Sequence, residues 1–466
     1  MRRPRLVVVG HGMAAASLLE HLSGLDARWD VVVFGDEPGP AYDRIALSAV
    51  VSGERAPGGL EIRDPGWYAE RGIEVHTGVG VRSLDPAARR LRADRSEIGF
   101  DACVVATGST PVVPAIPGTG LDGVRTLRTD GDARAIARRA GAGGRAVVLG
   151  GGLLGVETAC GLLRRGMRVT LAHLGDRLLD RQLDEAAALL LRRELEWMGV
   201  RVLLGAAVER IEGRGRVESA VIGDGTRLPA DLVVACVGVR PNTGLAAASG
   251  VRIGRRGVVV DEGLATSSPG VFALGECTEH RGRTFGTVGP VYDQARVLAR
   301  RLAGDPAARF AVRPQAARLK VTGLDVYAGG RTLPSPGDDE VVLRDDGAGV
   351  YKKLVTRDGA VVGVALVGDL AAMSGAGHAL AHGRVVDDGV ALLGGIARPG
   401  SAAPPAAGLP LDAVVCGCNG VTKAAILTAI GDGHRTREQV ARSTRAGTTC
   451  GQCGSAVDGL LAEAAA

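Results

Sequence analysis

The sequence predicts an α/β protein with two domains of doubly wound parallel sheet, a small α+β domain, and a small helical domain at the C-terminus. Short Val, Leu and Ile runs alternate with amphipathic stretches of ten or more residues, a pattern typical of parallel sheets. Two segments share one strand, glycine turn and helix design, about 140 residues apart, too far for a solenoid repeat. The 466 residues are about three times the usual domain length, so more than one core is expected.

Composition and charge exclude several classes of protein. Hydrophobic residues make up 46% and charged residues 23% of the chain, as in globular proteins. The net charge of +5 is scattered and aromatic residues amount to 3%, so nucleic acid is not an expected partner. No window reaches the roughly 18 continuous apolar residues that a membrane span requires. The N-terminal arginines imitate an export signal, but Gly10 and Gly12 interrupt the apolar stretch, and we expect a cytoplasmic protein.

The first glycine motif reads L-V-V-V-G-H-G-M-A-A. A strand from Leu6 to Val9 runs into the turn, which has the form G-x-G-x-x-A and opens a helix reaching about Leu22. Such a turn lets a pyrophosphate approach the backbone at the positive end of the helix dipole. Its candidate binding residues are Gly10, Gly12, Ala14 and Ala15. After the next strand, Val31 to Phe34, either Asp36 or Glu37 is expected to bind an adenosine ribose.

The second motif, A-V-V-L-G-G-G-L-L-G-V-E, again joins a strand to a helix. Its candidate binding residues are Gly150, Gly152, Leu153, Leu154 and Gly155, in full G-x-G-x-x-G form. The following strand ends at His173, where an NAD-selective site is expected to carry a carboxylate. Without that acid a 2′-phosphate is rejected less strongly, so we predict NAD(P)H as the ligand. His173 is either a phosphate contact or an ordinary residue at a strand end.

Two further turns, A-T-G-S at Ala106 to Ser109 and V-F-A-L-G-E-C at Val271 to Cys277, complete a family pattern. Over about residues 5 to 305 the chain resembles the FAD- and NAD(P)-dependent pyridine nucleotide reductase superfamily. That resemblance implies two Rossmann-like domains in a glutathione-reductase-like fold. It also implies that FAD contacts these two turns, through Ala106, Thr107, Gly108, Gly275 and Glu276.

The same resemblance indicates two further candidates. Arg44 either reaches the FAD pyrophosphate or forms a surface salt bridge. Glu157 occupies a family position near the nicotinamide and is our candidate catalytic residue. Ala49 stands where some relatives carry the lysine that pairs with this glutamate, which weakens the catalytic reading.

Redox-active thiols are absent from the place where many relatives carry them. The segment A-Y-D-R-I-A-L-S, from Ala41 to Ser48, contains no cysteine. The redox-active thiol that disulfide reductases and peroxidases usually carry there is therefore missing. We expect Cys103, Cys160 and Cys236 to be buried small residues. Cys277 follows Glu276 close to the expected flavin.

Four cysteines near the C-terminus form the most specific signal. Cys416 and Cys418 form a C-x-C pair, Cys450 and Cys453 form a C-x-x-C pair, and 31 residues separate the two pairs. Each pair precedes an expected helix, whose N-terminus stabilises thiolates. Four thiolates suit tetrahedral zinc or an iron–sulfur centre. The spacing resembles the bacterioferritin-associated ferredoxin (BFD) family, which implies a [2Fe–2S] cluster. Between the pairs, T-x-x-Q from residue 436 predicts a capping box.

The order of these motifs suggests the arrangement of the domains. We expect an FAD-binding domain at 1–112 and 236–308, an NAD(P)-binding domain at 113–235, and a small sheet-based interface domain at 309–395. A linker at 396–411, rich in Pro and Ala, would lead to the BFD-like domain at 412–466. In the third domain we expect strands at Leu319–Tyr327, Glu340–Leu343, Val350–Val355 and Ala360–Val367.

Taken together, the chain resembles the electron-transfer part of the assimilatory nitrate and NAD(P)H nitrite reductases. This implies an oxidoreductase that passes electrons from NAD(P)H through FAD and [2Fe–2S] to a nitrate or nitrite reductase catalytic partner. Two alternatives remain open: an FAD/[2Fe–2S] subunit of an amine or amino-acid dehydrogenase, and a redox or iron sensor without turnover. The third domain is expected to serve either homodimerisation or partner docking.

Overall fold

The protein was analysed as a computed structural model, which describes residues 2–25, 27–94, 96–394, 409–416, 419–448 and 453–465. The chain forms two compact units. Unit 1 contains Met1–Arg44, Gly58–Thr110 and Val239–Val312, and unit 2 contains Ile45–Pro57, Pro111–Gly238 and Arg313–Ala466. Element labels follow chain order. A 3-10 turn, Arg44–Ala46, and strands β8, Ser109–Pro111, and β17, Val239–Pro241, lie where the chain passes from one unit to the other.

Unit 1 is an α/β domain around one parallel sheet. Its strands are β1 Arg5–Val9, β2 Asp30–Gly35, β3 Ile73–Thr77, β4 Val81–Asp85, β5 Arg90–Ala93, β6 Glu97–Gly99, β7 Ala102–Val105, β18 Val258–Val259, β19 Val271–Ala273, β20 Thr278–His280 and β21 Arg283–Thr284. Its helices are α1 Met13–Ser23, α3 Pro65–Ala69, α7 Gly244–Ala248 and α8 Val288–Leu302. The main sheet has the order β19-β7-β1-β2-β3, and its pairs are parallel.

The core of unit 1 explains its continuous apolar strands. Both faces of β1 are covered, so Leu6, Val7 and Val8 are completely buried, as in sheets flanked by helices on both sides. The chain builds outward from β1 to β2 and β3 on one side, then crosses to β7 on the other. The carboxyl end of β1 is therefore a topological switch point, where ligands bind in open α/β sheets.

Unit 2 begins with a second parallel sheet of the same design. The strands of the parallel sheet are β9 Val124–Thr126, β10 Arg145–Leu149, β11 Arg168–Ala172, β12 Arg201–Leu203 and β16 Leu232–Ala235. A separate antiparallel sheet contains β13 Val208–Glu212, β14 Ser219–Ile222 and β15 Arg227–Pro229. Its helices are α2 Leu47–Ser52, α4 Asp130–Arg139, α5 Leu153–Arg164 and α6 Glu185–Met198. The sheet order β12-β11-β10-β16-β9 places a switch point at the carboxyl end of β10.

An antiparallel sheet follows in unit 2, with strands β22 Ala316–Arg318, β23 Val326–Gly330, β24 Asp339–Asp345, β25 Val350–Arg357 and β26 Ala360–Val367. Helices α9 Met373–His382 and α10 Gly389–Leu392 supply the helical part of this α+β domain. The predicted strand Leu319–Tyr327 is wrong. Gly323, at φ +83°, turns the chain within it, and Leu319 donates its N–H to Val326 O. The segment is therefore the tip of a hairpin between β22 and β23.

The last part of unit 2 is small and mostly helical. It contains β27 Val414–Cys416, β28 Val421–Thr422, α11 Lys423–Gly431, α12 Arg437–Thr444 and α13 Gly454–Ala465. The predicted capping box is confirmed, because the side chains of Thr436 and Gln439 each accept a hydrogen bond from the other's main-chain N–H. The predicted linker, 396–411, lies almost entirely outside the described residues. Within the described ranges, none of the helices has the length and apolar character needed to cross a membrane.

Candidate functional site

The first glycine turn, at the end of β1, leaves no room for side chains. Gly10 has φ +109°, and a Cβ there would lie 2.2 Å from the carbonyl oxygen of Ala106. Ala15 is completely buried, so the small residue at this position lets α1 pack on the sheet. These contacts explain why Gly and Ala occupy the positions that the sequence singled out.

Space is left where α1 begins. Gly12 is the N-cap of α1 and receives no side-chain cap. The nearest atoms to a Cβ at Gly12 belong to the Arg44 guanidinium, at 4.0 Å. An uncapped helix start beside a guanidinium is a site for a phosphate group. This placement favours the pyrophosphate reading of Arg44, although Arg44 also pairs with Glu37.

The two candidate ribose acids differ in their surroundings. Glu37 accepts a hydrogen bond from Tyr42 Oη at 2.6 Å and pairs with Arg44, whose guanidinium lies 4.8 Å from the centre of the Tyr42 ring. Asp36 is exposed and has no hydrogen bond or ion pair within the described ranges. Glu37 is thus engaged in holding Arg44, while the carboxylate of Asp36 is available to a ligand.

The A-T-G-S and G-E turns of unit 1 come together. Ser109 Oγ donates to Glu276 Oε2 at 2.8 Å, so the carboxylate of Glu276 is held against the A-T-G-S turn. Asn242 clamps the same turn: its Nδ2 donates to Thr107 O at 2.9 Å, and Thr107 Oγ1 donates to Asn242 O at 2.8 Å. Neither Ser109 nor Asn242 was predicted as a site residue, although Ser109 belongs to the A-T-G-S turn quoted above.

Gly275 is held by a buried side chain that no sequence motif marks. Gly275 has φ +88° and donates its N–H to Gln294 Oε1 at 2.7 Å. Gln294, on α8, is completely buried and also donates to Thr278 Oγ1 at 3.3 Å. A Cβ at Gly275 would lie 3.0 Å from the methyl group of Ala14, so the second turn lies against the start of α1.

The second glycine turn, in unit 2, has the same design, with two glycines whose Cβ positions are blocked and one whose Cβ position is open. Gly150 has φ +107°, and a Cβ there would lie 2.5 Å from Cys236 O. A Cβ at Gly155 would lie 1.9 Å from Gly150 O. At Gly152, the N-cap of α5, no atom lies within 4 Å of a Cβ, and no side chain caps the helix. Leu153 and Leu154 are the first two residues of α5, at this open end.

His173 lies against the second turn. Its Nδ1 accepts the N–H of Gly151 at 3.1 Å, and a Cβ at Gly151 would meet the imidazole ring at 2.8 Å. With Nδ1 as the acceptor, a neutral ring carries its proton on Nε2. Nε2 is buried and has no hydrogen-bond partner within the described ranges. The residue therefore offers a donor where an NAD-selective site offers a carboxylate.

Glu157 is buried, with 5% of its side chain exposed. Its Oε1 accepts the main-chain N–H of Lys320 at 3.1 Å, and its Oε2 lies 3.6 Å from Lys320 Nζ. A lysine from the third domain thus faces the candidate catalytic carboxylate. No sequence motif indicates this contact, because 163 residues separate the two partners.

The cysteines outside the C-terminal pairs have the character of inert thiols. Cys103 and Cys160 are buried as predicted, whereas Cys236 is only half-buried. Desolvation raises the pKa of all three thiols to about 12, and it raises the pKa of Cys277 above its ordinary value. Cys277 is completely buried, with Sγ 3.3 Å from Leu274 O. These groups stay protonated near neutral pH and are unsuited to thiolate chemistry.

In the C-terminal domain, the structure brings together one cysteine from each predicted pair. Cys416 and Cys453 are 2% and 3% exposed. A hydrogen bond with Cys453 lowers the pKa of Cys416 to about 6 against the opposing effect of burial, and the N–H groups of Gly447 and Asn419 add to the lowering. Cys418 and Cys450 lie outside the described residues. Buried, polarised thiols with main-chain N–H donors around them fit a thiolate-bound metal centre.

Three family models match the chain. Pyridine nucleotide-disulphide oxidoreductase matches residues 4–296, the rubredoxin NAD+ reductase C-terminal domain matches residues 316–383, and the BFD-like [2Fe-2S] binding domain matches residues 414–463. These families imply FAD and NAD(P)H as cofactors and a [2Fe–2S] cluster.

The chain is also similar to curated proteins over 99% of its length. It is 36% identical to an assimilatory nitrate reductase electron transfer subunit and 36% identical to a nitrite reductase [NAD(P)H], both from Bacillus subtilis (strain 168). It spans 60% and 58% of those two proteins. Among solved structures, a covalent putidaredoxin reductase–putidaredoxin complex matches with a TM-score of 0.78 at 26% identity. That match covers 84% of this chain and 98% of the matched one.

Proposed function

Because the chain belongs to the pyridine nucleotide-disulphide oxidoreductase family, we propose that it is an NAD(P)H-dependent electron-transfer oxidoreductase that supplies a nitrate or nitrite reductase partner. The observation that carries this proposal is the meeting of Cys416 and Cys453, polarised and buried, in a chain that also forms two open dinucleotide turns. One polypeptide would then both accept electrons, at its dinucleotide sites, and release them, at its cysteine site. The relatives named for nitrate and nitrite reduction support the identity of the acceptor.

The residues of unit 1 fit FAD. We assign the pyrophosphate to the N-terminus of α1 at Gly12, with Arg44 beside it. We assign the adenosine ribose to Asp36, because Glu37 is engaged by Arg44 and Tyr42. The remaining flavin contacts are proposed for the first glycine turn and the start of α1, at Gly10, Ala14 and Ala15, and for the A-T-G-S and G-E turns, at Ala106, Thr107, Gly108, Gly275 and Glu276.

The turn in unit 2 fits NAD(P)H. Gly150 and Gly155 shape the turn and Gly152 admits the pyrophosphate. We assign the ribose position to His173, whose Nδ1 accepts the N–H of Gly151 in this turn. A donor at that position binds a ribose hydroxyl oxygen or a phosphate oxygen, so this chain is expected to accept both NADH and NADPH.

The chemistry that the bound groups supply is hydride transfer from nicotinamide to flavin N5 and single-electron transfer to the cluster. The protein binds and orients the reactants, since this hydride step requires no side-chain acid or base. Cys416 and Cys453, with Cys418 and Cys450, are the proposed cluster ligands. Because buried, hydrogen-bonded thiolates restrict water and stabilise the cluster's charge, they suit a site that hands electrons onward.

The decisive experiment is anaerobic reduction of the full-length protein by NADH. We expect flavin and iron–sulfur absorbance in the purified protein, bleaching of both by NADH, and steady NADH oxidation with ferricyanide. Addition of a nitrate or nitrite reductase catalytic protein should then couple NADH oxidation to nitrate or nitrite loss. Reduction by an amine in place of NADH would favour the dehydrogenase alternative. Reduction without turnover would favour the sensor, and a colourless protein would refute the proposal.

A further inference from the structure

The hairpin tip of the third domain touches the helix that follows the second glycine turn. The tip, residues 319–326, is closed by the Leu319–Val326 and Leu324–Val321 main-chain hydrogen bonds, and an ion pair of 3.0 Å joins Arg318 to Asp325. Lys320 therefore projects from a backbone that is held at both ends. It is one of only four lysines among the 56 basic residues of the chain.

Lys320 makes three defined contacts within unit 2. Its main-chain N–H and its ammonium group face the two carboxylate oxygens of Glu157, at 3.1 and 3.6 Å, and Nζ also donates to Ile45 O at 2.8 Å. Ile45 lies in the 3-10 turn that leads into α2, and α2 carries Ala49. The hairpin tip thus brings a cation to Glu157, whereas α2 carries an alanine at position 49.

Glu157 has hydrogen-bonding capacity beyond its pairing with Lys320. Burial of a carboxylate is costly unless the group is paired and hydrogen-bonded, and within the described ranges its partners are the two groups of Lys320. A carboxylate has about four lone-pair positions, so about two stay available to another donor. Glu157 lies five residues beyond the open N-cap at Gly152, about 7.5 Å along α5. A primary carboxamide, which carries two N–H donors, matches this remaining capacity.

We propose that Lys320 is the positioning residue that holds the Glu157 carboxylate for the carboxamide of the nicotinamide ring, a cation supplied by the third domain in place of a lysine at position 49. The inference rests on the proposed function. Its consequence is that the third domain contributes to nucleotide binding: displacement of the hairpin tip would weaken the grip on the nicotinamide half of the ligand and spare the adenosine half.

The test compares two ligands that differ in that half. Titration calorimetry measures the Kd of NAD+ and the Kd of ADP-ribose, which lacks the nicotinamide. Both are measured for the FAD-loaded, full-length protein and for its variants K320M, K320R, E157Q and K320M/E157Q. For K320M we expect the Kd of NAD+ to rise about tenfold, the effect of losing one charge-assisted hydrogen bond, with the Kd of ADP-ribose within about twofold of its original value. K320R should recover part of the loss. In the E157Q background, K320M should change the Kd of NAD+ less than about twofold, because the two residues act as one unit.

T322V is the matched control, since Thr322 lies on the same hairpin tip and donates to Glu54 at 3.2 Å without touching Glu157. It should leave both dissociation constants unchanged, and its melting temperature reports any loosening of the tip. Equal weakening of NAD+ and ADP-ribose by K320M would refute the inference and indicate a purely structural pair, as would additive effects of K320M and E157Q. Loss of NAD+ affinity in T322V at an unchanged melting temperature would refute it too, because the tip would then still be in place. Failure of the unmodified protein to bind either ligand would overturn the proposed function itself.

Discussion

A methyl group at Gly152 and one at Gly155 should act on different properties of the protein. At Gly155 the new carbon would lie 1.9 Å from Gly150 O, so about 1.3 Å of displacement is needed to reach an ordinary contact of about 3.2 Å. Overpacking of this kind costs about 3 kcal/mol, and the better helix propensity of Ala offsets about 1 kcal/mol. We expect G155A to lose about 2 kcal/mol of stability, equivalent to a fall in Tm of about 4–8 °C.

At Gly152 the outcome should be reversed. Its backbone has φ −79° and ψ 179°, which Ala adopts without strain, and no atom lies within 4 Å of the new carbon. Ala stabilises the protein by lowering the entropy of the unfolded chain, and it destabilises the protein because it is a weaker N-cap than Gly. These two effects nearly cancel, so Tm should stay within about 2 °C of its original value. The methyl group would, however, keep a phosphate from the first N–H groups of α5. Loss of one charge-assisted hydrogen bond corresponds to a rise of about 10–100-fold in the Kd of NAD+.

Calorimetric titration with NAD+ and thermal unfolding of the FAD-loaded protein measure the two effects side by side. A Kd of NAD+ for G152A within about twofold of the original value, or an unchanged Tm for G155A, would contradict these predictions. Equal losses of stability and affinity in both variants would contradict them as well, since the two glycines would then serve one purpose.

Three further predictions follow from single groups. H173D should lower the kcat/KM for NADPH relative to that for NADH by about tenfold or more, because a carboxylate repels the 2′-phosphate; an unchanged ratio would place His173 away from the ribose. C453S should lose the iron–sulfur absorbance and leave bleaching of the flavin by NADH, a pattern that anaerobic spectra check against a C277S control whose cluster stays intact. Burial lowers the pKa of His11 from 6.5 to about 4, so protonation of this residue favours the unfolded chain. The contribution of neutral His11 to the free energy of unfolding is therefore fully present above pH 6.5, and the free energy falls by up to about 3 kcal/mol toward pH 4. Urea unfolding should show this loss, and H11Q should lack it.

The local motifs were predictable because each depends on neighbouring residues. Gly10 and Gly150 stand at strand ends with φ values of +109° and +107°, which glycine adopts most readily, and spacing alone locates such turns. The capping box from Thr436 has the same local origin. The strand proposed for Leu319–Tyr327 failed for a local reason as well, because the apolar pattern outweighed the turn signal of Gly323.

Contacts between distant segments escaped the sequence analysis. Asn242 clamps Thr107 across 135 residues, and Gln294 holds Gly275 from a helix that carries no motif. Lys320 reaches Glu157 across 163 residues, so the substitution at position 49 was noticed without the residue that compensates for it. No short-range pattern records such pairs, because the partners meet only when two domains or two ends of a sheet are packed together.

The sequence by itself determined the chemistry that this protein can hold: glycines where phosphate must approach a backbone, and four cysteines at a spacing suited to iron and sulfur. These follow from constraints within a few residues, such as positive φ, missing side chains and free N–H groups. Only the tertiary structure decided which acid is engaged by Arg44, which nitrogen of His173 is left as a donor, and which cation faces Glu157. Those outcomes depend on burial and on hydrogen bonds between segments far apart in the chain, where the cost of an unpaired buried group selects one arrangement.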